Sequence, residues 1–306
     1  MVKEMIYDIA IIGAGPAGLS AAIYAQRAGF NTITFEANVH GGQIINTPEV
    51  ENYPALGKVS GVEYAMSIYE QAVGFGATIE YKAVTDTQLE GEIKTLKCAD
   101  GSEYQAKAVI IATGVVRRKL EIPGEDRLLG AGVSYCATCD GLFFKDKTAV
   151  VVGGGNTALE DAVYLASVCE KVYLIHRRDE FRGAKHEVAK VLSNPKIEIL
   201  YDTIPLSIDG MGKVESLRVK NVKTEEERVL ATSAVFVAVG LIPQNDMFAG
   251  KVDMTDGYIS ADESCTTNIP GVFVAGDTRT KSLRQLVTAT ADGAIAGTAA
   301  ANYLFE

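Results

Sequence analysis

Over its 306 residues the chain has no uninterrupted apolar run long enough to cross a bilayer. Its longest uncharged stretch, residues 9–26, is broken by Gly13, Gly15, Pro16 and Gly18, so no membrane span is expected. Nor is a secretory leader expected. Lys3 precedes an apolar run, but Glu4 and Asp8 interrupt it and no small-residue cleavage site follows, which gives a cytoplasmic expectation. Positive charge is in deficit: 29 Lys and Arg face 39 Asp and Glu, for a net charge of −10 that would repel a phosphate backbone and argues against nucleic acid as a partner. Cysteines are few and odd in number, five in all, which argues against a secreted disulfide framework. Only Cys136 and Cys139 are close, and no second Cys or His pair has the spacing to complete a zinc site, so no metal is expected. Apolar residues at 47% and charged residues at 22% are those of a folded globular chain, and the length suits about two domains.

What the chain does have is a glycine-rich turn in the right context. Residues 8–12 read as a buried parallel strand, followed at once by Gly13-Ala14-Gly15-Pro16-Ala17-Gly18 and a small-residue helix to about Ala28. The first glycine makes the tight turn, the second admits a pyrophosphate, and the third lets the helix pack close to the strand. A pyrophosphate then rests on the helix N-terminus. A second strand, residues 31–36, ends in Glu36, whose carboxylate can accept hydrogen bonds from ribose hydroxyls. Taken singly the glycines could serve an ordinary turn; in this register they read as a dinucleotide site.

The same grammar returns further on. Residues 148–152 form a strand, Gly153-Gly154-Gly155-Asn156-Thr157-Ala158 a GxGxxA turn, and residues 159–168 a helix. The second strand, residues 171–175, ends at His176, at the offset from Gly153 that Glu36 has from Gly13. The acid is replaced by His176, Arg177 and Arg178, with Arg182 a turn later. A carboxylate there would repel a 2′-phosphate, whereas guanidinium groups pair with it, so this site is expected to take NADPH. The competing reading is a solvated basic face.

Each half closes on a buried strand ending in glycine, residues 109–114 and 235–240, and residues 77–97 and 196–229 alternate as antiparallel excursions would. A last strand, residues 269–277, ends in Gly276-Asp277 and leads into a helix from about Leu283 to Tyr303, which we assign back to the first lobe. The expected fold is α/β: two Rossmann-like, three-layer ββα dinucleotide-binding domains, the second inserted into the first. The boundaries are 1–116 with 247–306 for one domain and 117–246 for the other, which carries the cysteine pair.

A Cys136-Ala137-Thr138-Cys139 bridge closes a ring too small to restrain the unfolded chain, so it suits a redox couple better than a structural staple. Asp140 could supply and take up the proton of thiol exchange if burial raises its pKa; a helix cap is the plainer alternative. Nicotinamide transfers hydride while thiol exchange proceeds one sulfur at a time. A flavin accepts hydride and reacts with thiols, so it joins the two chemistries.

These residues make the chain resemble, over essentially its whole length, the bacterial low-molecular-weight NADPH-dependent thioredoxin reductases. The resemblance rests on Gly13-x-Gly15-x-x-Gly18, Gly41-Gly42-Gln43, Asn52-Tyr53-Pro54, Ala112-Thr113-Gly114, Cys136-Ala137-Thr138-Cys139-Asp140-Gly141, His176-Arg177-Arg178 with Arg182, and Gly276-Asp277 with Arg284-Gln285. It implies FAD in the first lobe, with Glu36 on the adenosine ribose, Gln43 and Asn52 beside the flavin, and Asp277 and Gln285 on the ribityl chain and ring. It implies NADPH in the second lobe, Cys139 meeting the flavin, Cys136 attacking the thioredoxin disulfide, and Asp140 as general acid. It further implies a rotating inserted lobe, hinged near residues 114–116 and 243–246, and a homodimer. One departure stands out: members commonly have Asp-Ser where this chain has Asn156-Thr157, which keep an acceptor and a hydroxyl. Flavoproteins of this architecture that serve other disulfide proteins usually carry an extra N-terminal thioredoxin-like domain, for which a first turn at Gly13 is expected to leave no room. Ferredoxin–NADP reductases of the fold lack the cysteine pair. A redox-sensing protein could hold FAD and NADPH without turnover.

Overall fold

The computed structural model describes residues 6–47 and 49–306; Lys3 and Glu4 lie outside the described residues. The first strand, β1 (Ile6–Ile12), is apolar and buried from Ile9 onward, where both its faces are covered. Ile9 and Ile11 enter one core and Ala10 and Ile12 another. After it come α1 (Pro16–Arg27), β2 (Thr32–Phe35), α2 (Gly61–Gly74), β3 (Thr78–Glu80), β4 (Val84–Gln88), β5 (Lys94–Cys98) and β6 (Glu103–Ile111). The strand order is β3-β2-β1-β6-β5-β4. The first four of these are mutually parallel, while β5 and β4 form an antiparallel excursion.

The chain then crosses on β7 (Val115–Arg117) into a second unit: β8 (Val133–Ser134), α3 (Ala137–Asp140), β9 (Thr148–Gly153), α4 (Asn156–Val168), β10 (Lys171–Ile175), α5 (Lys185–Leu192), β11 (Ile197–Leu200), β12 (Thr203–Asp209), β13 (Ser216–Asn221), β14 (Glu227–Ala231) and β15 (Ala234–Ala238). Its parallel sheet runs β11-β10-β9-β15-β8, and β12-β13-β14 form an antiparallel meander. The layering of the first unit recurs: Ala149 and Val151 enter the core against α4, while Val150 and Val152 enter the one shared with the meander residues Leu217, Val219 and Leu230.

The return runs on β16 (Leu241–Pro243), which pairs with β7. Then come β17 (Met254–Thr255), β18 (Tyr258–Ile259), β19 (Val272–Val274), parallel to β6, and α6 (Leu286–Phe305). By compactness the chain divides into Met1–Val116 with Ile242–Glu306, and Arg117–Leu241. The return crossing, expected near Asp246, thus falls at Leu241–Ile242. Helix α6 lies on α1 at very short range: a Cβ at Gly293 would stand 2.1 Å from the Ala17 carbonyl oxygen, and one at Gly297 2.6 Å from that of Ala21.

The two polar stretches differ from expectation in one respect. Each begins with a parallel strand, β3 in one and β11 in the other, before turning antiparallel. Each follows a helix, and a helical crossover returns the chain parallel to the sheet.

Candidate functional site

Helix α2 starts with a reciprocal side-chain cap, Ser60 with Glu63, and at the start of α6 the Gln285 backbone amide donates to the Thr288 hydroxyl (3.1 Å). Helices α1 and α4 start at Gly15 and Gly155 with no side-chain cap, leaving first-turn amides to serve an anion. At α1 the Pro16 nitrogen, which has no hydrogen, takes the first position. A Cβ on Gly13 would stand 2.3 Å from the Ala112 carbonyl oxygen, and one on Gly18 1.9 Å from that of Gly13. The second turn copies the first: a Cβ on Gly153 would stand 2.3 Å from the carbonyl oxygen of Ala238, at the end of β15.

In the first unit the expected residues gather around that helix start. Glu36 accepts from the Ala14 amide (3.1 Å) and the Asn38 amide (3.0 Å), so its carboxylate is fixed beside the turn. Gly41 donates its amide to the Ala14 carbonyl (2.8 Å), and Gly42, at φ +59°, leaves its Cα where a Cβ on Gly15 would be 3.9 Å away. Gly276, at φ +82°, approaches Ala17: a Cβ there would lie 2.8 Å from the Ala17 methyl. Asn52 and Gln285, distant in sequence, are joined by a 3.0 Å hydrogen bond from the Asn52 amide to the Gln285 oxygen, with Gln43 exposed nearby in sequence. Thr113 is committed inward, bonded to Asn245 (3.1 Å) and Thr278 (2.9 Å), and Gly114 accepts from the Gln244 amide (3.1 Å). Arg284 stacks on Tyr258 and donates to the Asp277 carbonyl (3.2 Å).

In the second unit Arg177, Arg178 and Arg182 are exposed, and among the described residues no carboxylate lies within ion-pairing distance of any of them. The Arg182 amide donates to the Gly154 carbonyl (2.8 Å), docking the basic segment on the turn. His176 plays a different part from its neighbours. It is buried, bonded to the Glu180 carbonyl (2.9 Å), and its ring fills the space a Cβ on Gly154 would need. Burial and the three arginines hold its pKa below the ordinary range, so it stays neutral. Asn156 accepts from the Ala184 amide (2.7 Å), while Thr157 and Gly155 are exposed and Ala158 is buried.

Cys136 and Cys139 are disulfide-bonded across α3, whose N-cap is Cys136. Helix α3 abuts α4: a Cβ on Gly141 would stand 2.8 Å from the Tyr164 ring. Burial pushes the Asp140 carboxyl above the ordinary carboxylate range, and only partly opposed by a 2.5 Å bond from Ser134 and the charge of Arg117. The Ser134 hydroxyl also accepts from the Cys136 amide (3.1 Å), tying the acid to the disulfide loop. Sequence reading missed Ser134, since a serine two residues ahead of a cysteine carries no signal of its own. It also missed Asp292, which accepts from the Gly276 amide (3.0 Å) and is distant in sequence.

Comparison with known proteins matches residues 7–293 to the family model for pyridine nucleotide-disulphide oxidoreductases. The chain belongs to that family. A thioredoxin reductase of Peptoclostridium acidaminophilum is 48% identical, covering 98% of each chain. The crystal structure of thioredoxin reductase from Streptococcus pyogenes is 41% identical with a TM-score of 0.93, covering 99% of each chain. That of Lactococcus lactis thioredoxin reductase in its FR conformation is 40% identical, covers 98% of this chain and 99% of its own, yet superposes at a TM-score of 0.67.

Proposed function

We propose that the chain is a thioredoxin reductase, moving two electrons from NADPH through FAD to the Cys136–Cys139 disulfide and on to oxidised thioredoxin. The observation that carries this reading is the disulfide itself, a bond between cysteines three positions apart, in the unit that also holds an uncapped glycine turn and the three exposed arginines Arg177, Arg178 and Arg182. A bridge over so short a loop adds little to stability, so it is there to be opened and remade. The uncapped α1 start, Glu36 beside it and the close approach of Gly15, Gly42 and Gly276 fit the phosphates and ribose of FAD. Bound there, FAD supplies the exchange between hydride and thiol chemistry.

The chain's own groups do the rest. Arg177, Arg178 and Arg182 bind the 2′-phosphate that separates NADPH from NADH. His176, neutral and packed under Gly154, holds the turn that receives the pyrophosphate. Once reduced, Cys136 attacks the thioredoxin disulfide, and Cys139 then attacks the mixed disulfide and releases the partner's second sulfur as a thiolate. Asp140, protonated at a higher pH than an exposed carboxyl, gives that thiolate its proton. Overall NADPH and one proton convert a disulfide to two thiols, leaving NADP⁺. The inserted unit rotates between the two half-reactions, a reading supported by the FR conformation of the Lactococcus relative. A cytoplasmic homodimer is the state we carry over from the family; among the described residues no helix is long and apolar enough to cross a membrane.

The test is an anaerobic titration of the purified protein. NADPH is expected to bleach the yellow colour, and oxidised thioredoxin to restore it. A colourless protein that takes up no FAD, or a bleached one that thioredoxin leaves bleached, overturns the proposal.

A further inference from the structure

Resting on the assignment of FAD to the first unit, we propose that Asp292 is the positioning residue for Asp277, the carboxylate set against the flavin's ribityl chain. Asp292 lies on α6, 3% exposed, and one of its oxygens serves three donors: Arg279 Nε (2.9 Å), Lys281 Nζ (2.7 Å) and the backbone amide of Gly276 (3.0 Å). Its other oxygen accepts from Arg279 Nη2 (2.8 Å). Arg279 is 1% exposed, and the Lys281 side chain 4%.

Burying two cations and one carboxylate is costly, and an apolar trio would stabilise a core as well or better. The cluster therefore has work besides cohesion. That work is the bond to Gly276, directly before Asp277. From the other side Arg284 donates to the Asp277 carbonyl (3.2 Å) and to the Arg279 carbonyl (3.2 Å). The backbone of Asp277 is thus held at both ends by charged side chains. Gly276 sits at φ +82° with no room for a Cβ beside Ala17, so the turn occupies a left-handed, crowded conformation that needs such ties. Burial alone would raise the Asp292 pKa; the Arg279 and Lys281 bonds outweigh it and keep the carboxylate ionised.

The test compares two charge-matched double variants, Asp292→Asn with Lys281→Met and Asp292→Leu with Lys281→Met. Both leave the cluster's net charge unchanged, and only Asn retains an acceptor for the Gly276 amide. FAD affinity is measured by titrating apoprotein and following quenching of flavin fluorescence, with the visible spectrum of the bound flavin as a second reading and Asp277→Ala alongside. The Asn form is expected to bind FAD close to wild type. The Leu form is expected to lose about tenfold, the worth of one buried hydrogen bond, and to shift the bound spectrum as Asp277→Ala does. Equal affinity and spectra for the Asn and Leu forms overturn the proposal, whereas FAD binding indifferent to Asp277→Ala overturns the assignment of Asp277 beneath it.

Discussion

At the scale of single residues, the redox loop divides its labour between two sulfurs and an acid. Cys136→Ser is expected to abolish thioredoxin reduction while NADPH still bleaches the flavin, as stopped-flow absorbance would record, because hydride transfer precedes thiol exchange. Ser134 tunes the acid. Its bond opposes the burial that raises the Asp140 pKa, so Ser134→Ala moves that pKa further up. Since Asp140 acts in its protonated form, the alkaline limb of the rate of thioredoxin reduction moves to higher pH, and an unchanged pH profile would remove Ser134 from the mechanism. Charge decides the choice of nicotinamide. Replacing Arg177 and Arg178 together by Ala is expected to raise the KM for NADPH by about 10- to 100-fold, the worth of one or two charge-assisted hydrogen bonds, and to leave that for NADH nearly unmoved. Steady-state kinetics with both nucleotides separates a phosphate clamp from a merely solvated basic face.

At the scale of elements, the two glycine turns share their first and third positions as glycine and differ at their last small residue, Gly18 in one and Ala158 in the other. The difference follows from spacing: a Cβ on Gly18 would stand 1.9 Å from the Gly13 carbonyl oxygen, whereas the second turn already accommodates the Ala158 methyl. Gly18→Ala is therefore expected to push α1 off its strand, costing about 1–3 kcal/mol of stability in a denaturant melt and weakening FAD binding. These strand–turn–helix units were legible in the sequence because every contact that defines them is local. The β1, α1, β9, α4 and β10 segments appear within a few residues of where pattern and spacing put them. Less legible was the direction of β3 and β11, which the crossover from a preceding helix decides rather than their own residues. At the site, the paired cysteines and the arginines announce themselves by type and position. Asp292 and Ser134 do not, since their meaning lies in partners brought near only by the fold, Gly276 across a turn and Asp140 across a short helix.

At the scale of the whole molecule, two units with separate cores are expected to report their ligands separately. Calorimetry should resolve two transitions, one raised by FAD and the other by NADP⁺, each by an amount that grows with the logarithm of ligand concentration. A single transition answering to both ligands would contradict independent cores. The paired crossing strands β7 and β16 carry a last consequence. The Arg118 amide donates to the Gly240 carbonyl (3.0 Å), so the chain enters and leaves the second unit side by side. That unit is thus a guest inserted in the chain between two paired strands. Cutting out the guest and bridging the two strands with a tight turn would leave a continuous host whose termini and sheet are untouched, and a gene could have gained or exchanged this nucleotide module in one insertion without rebuilding the domain that received it.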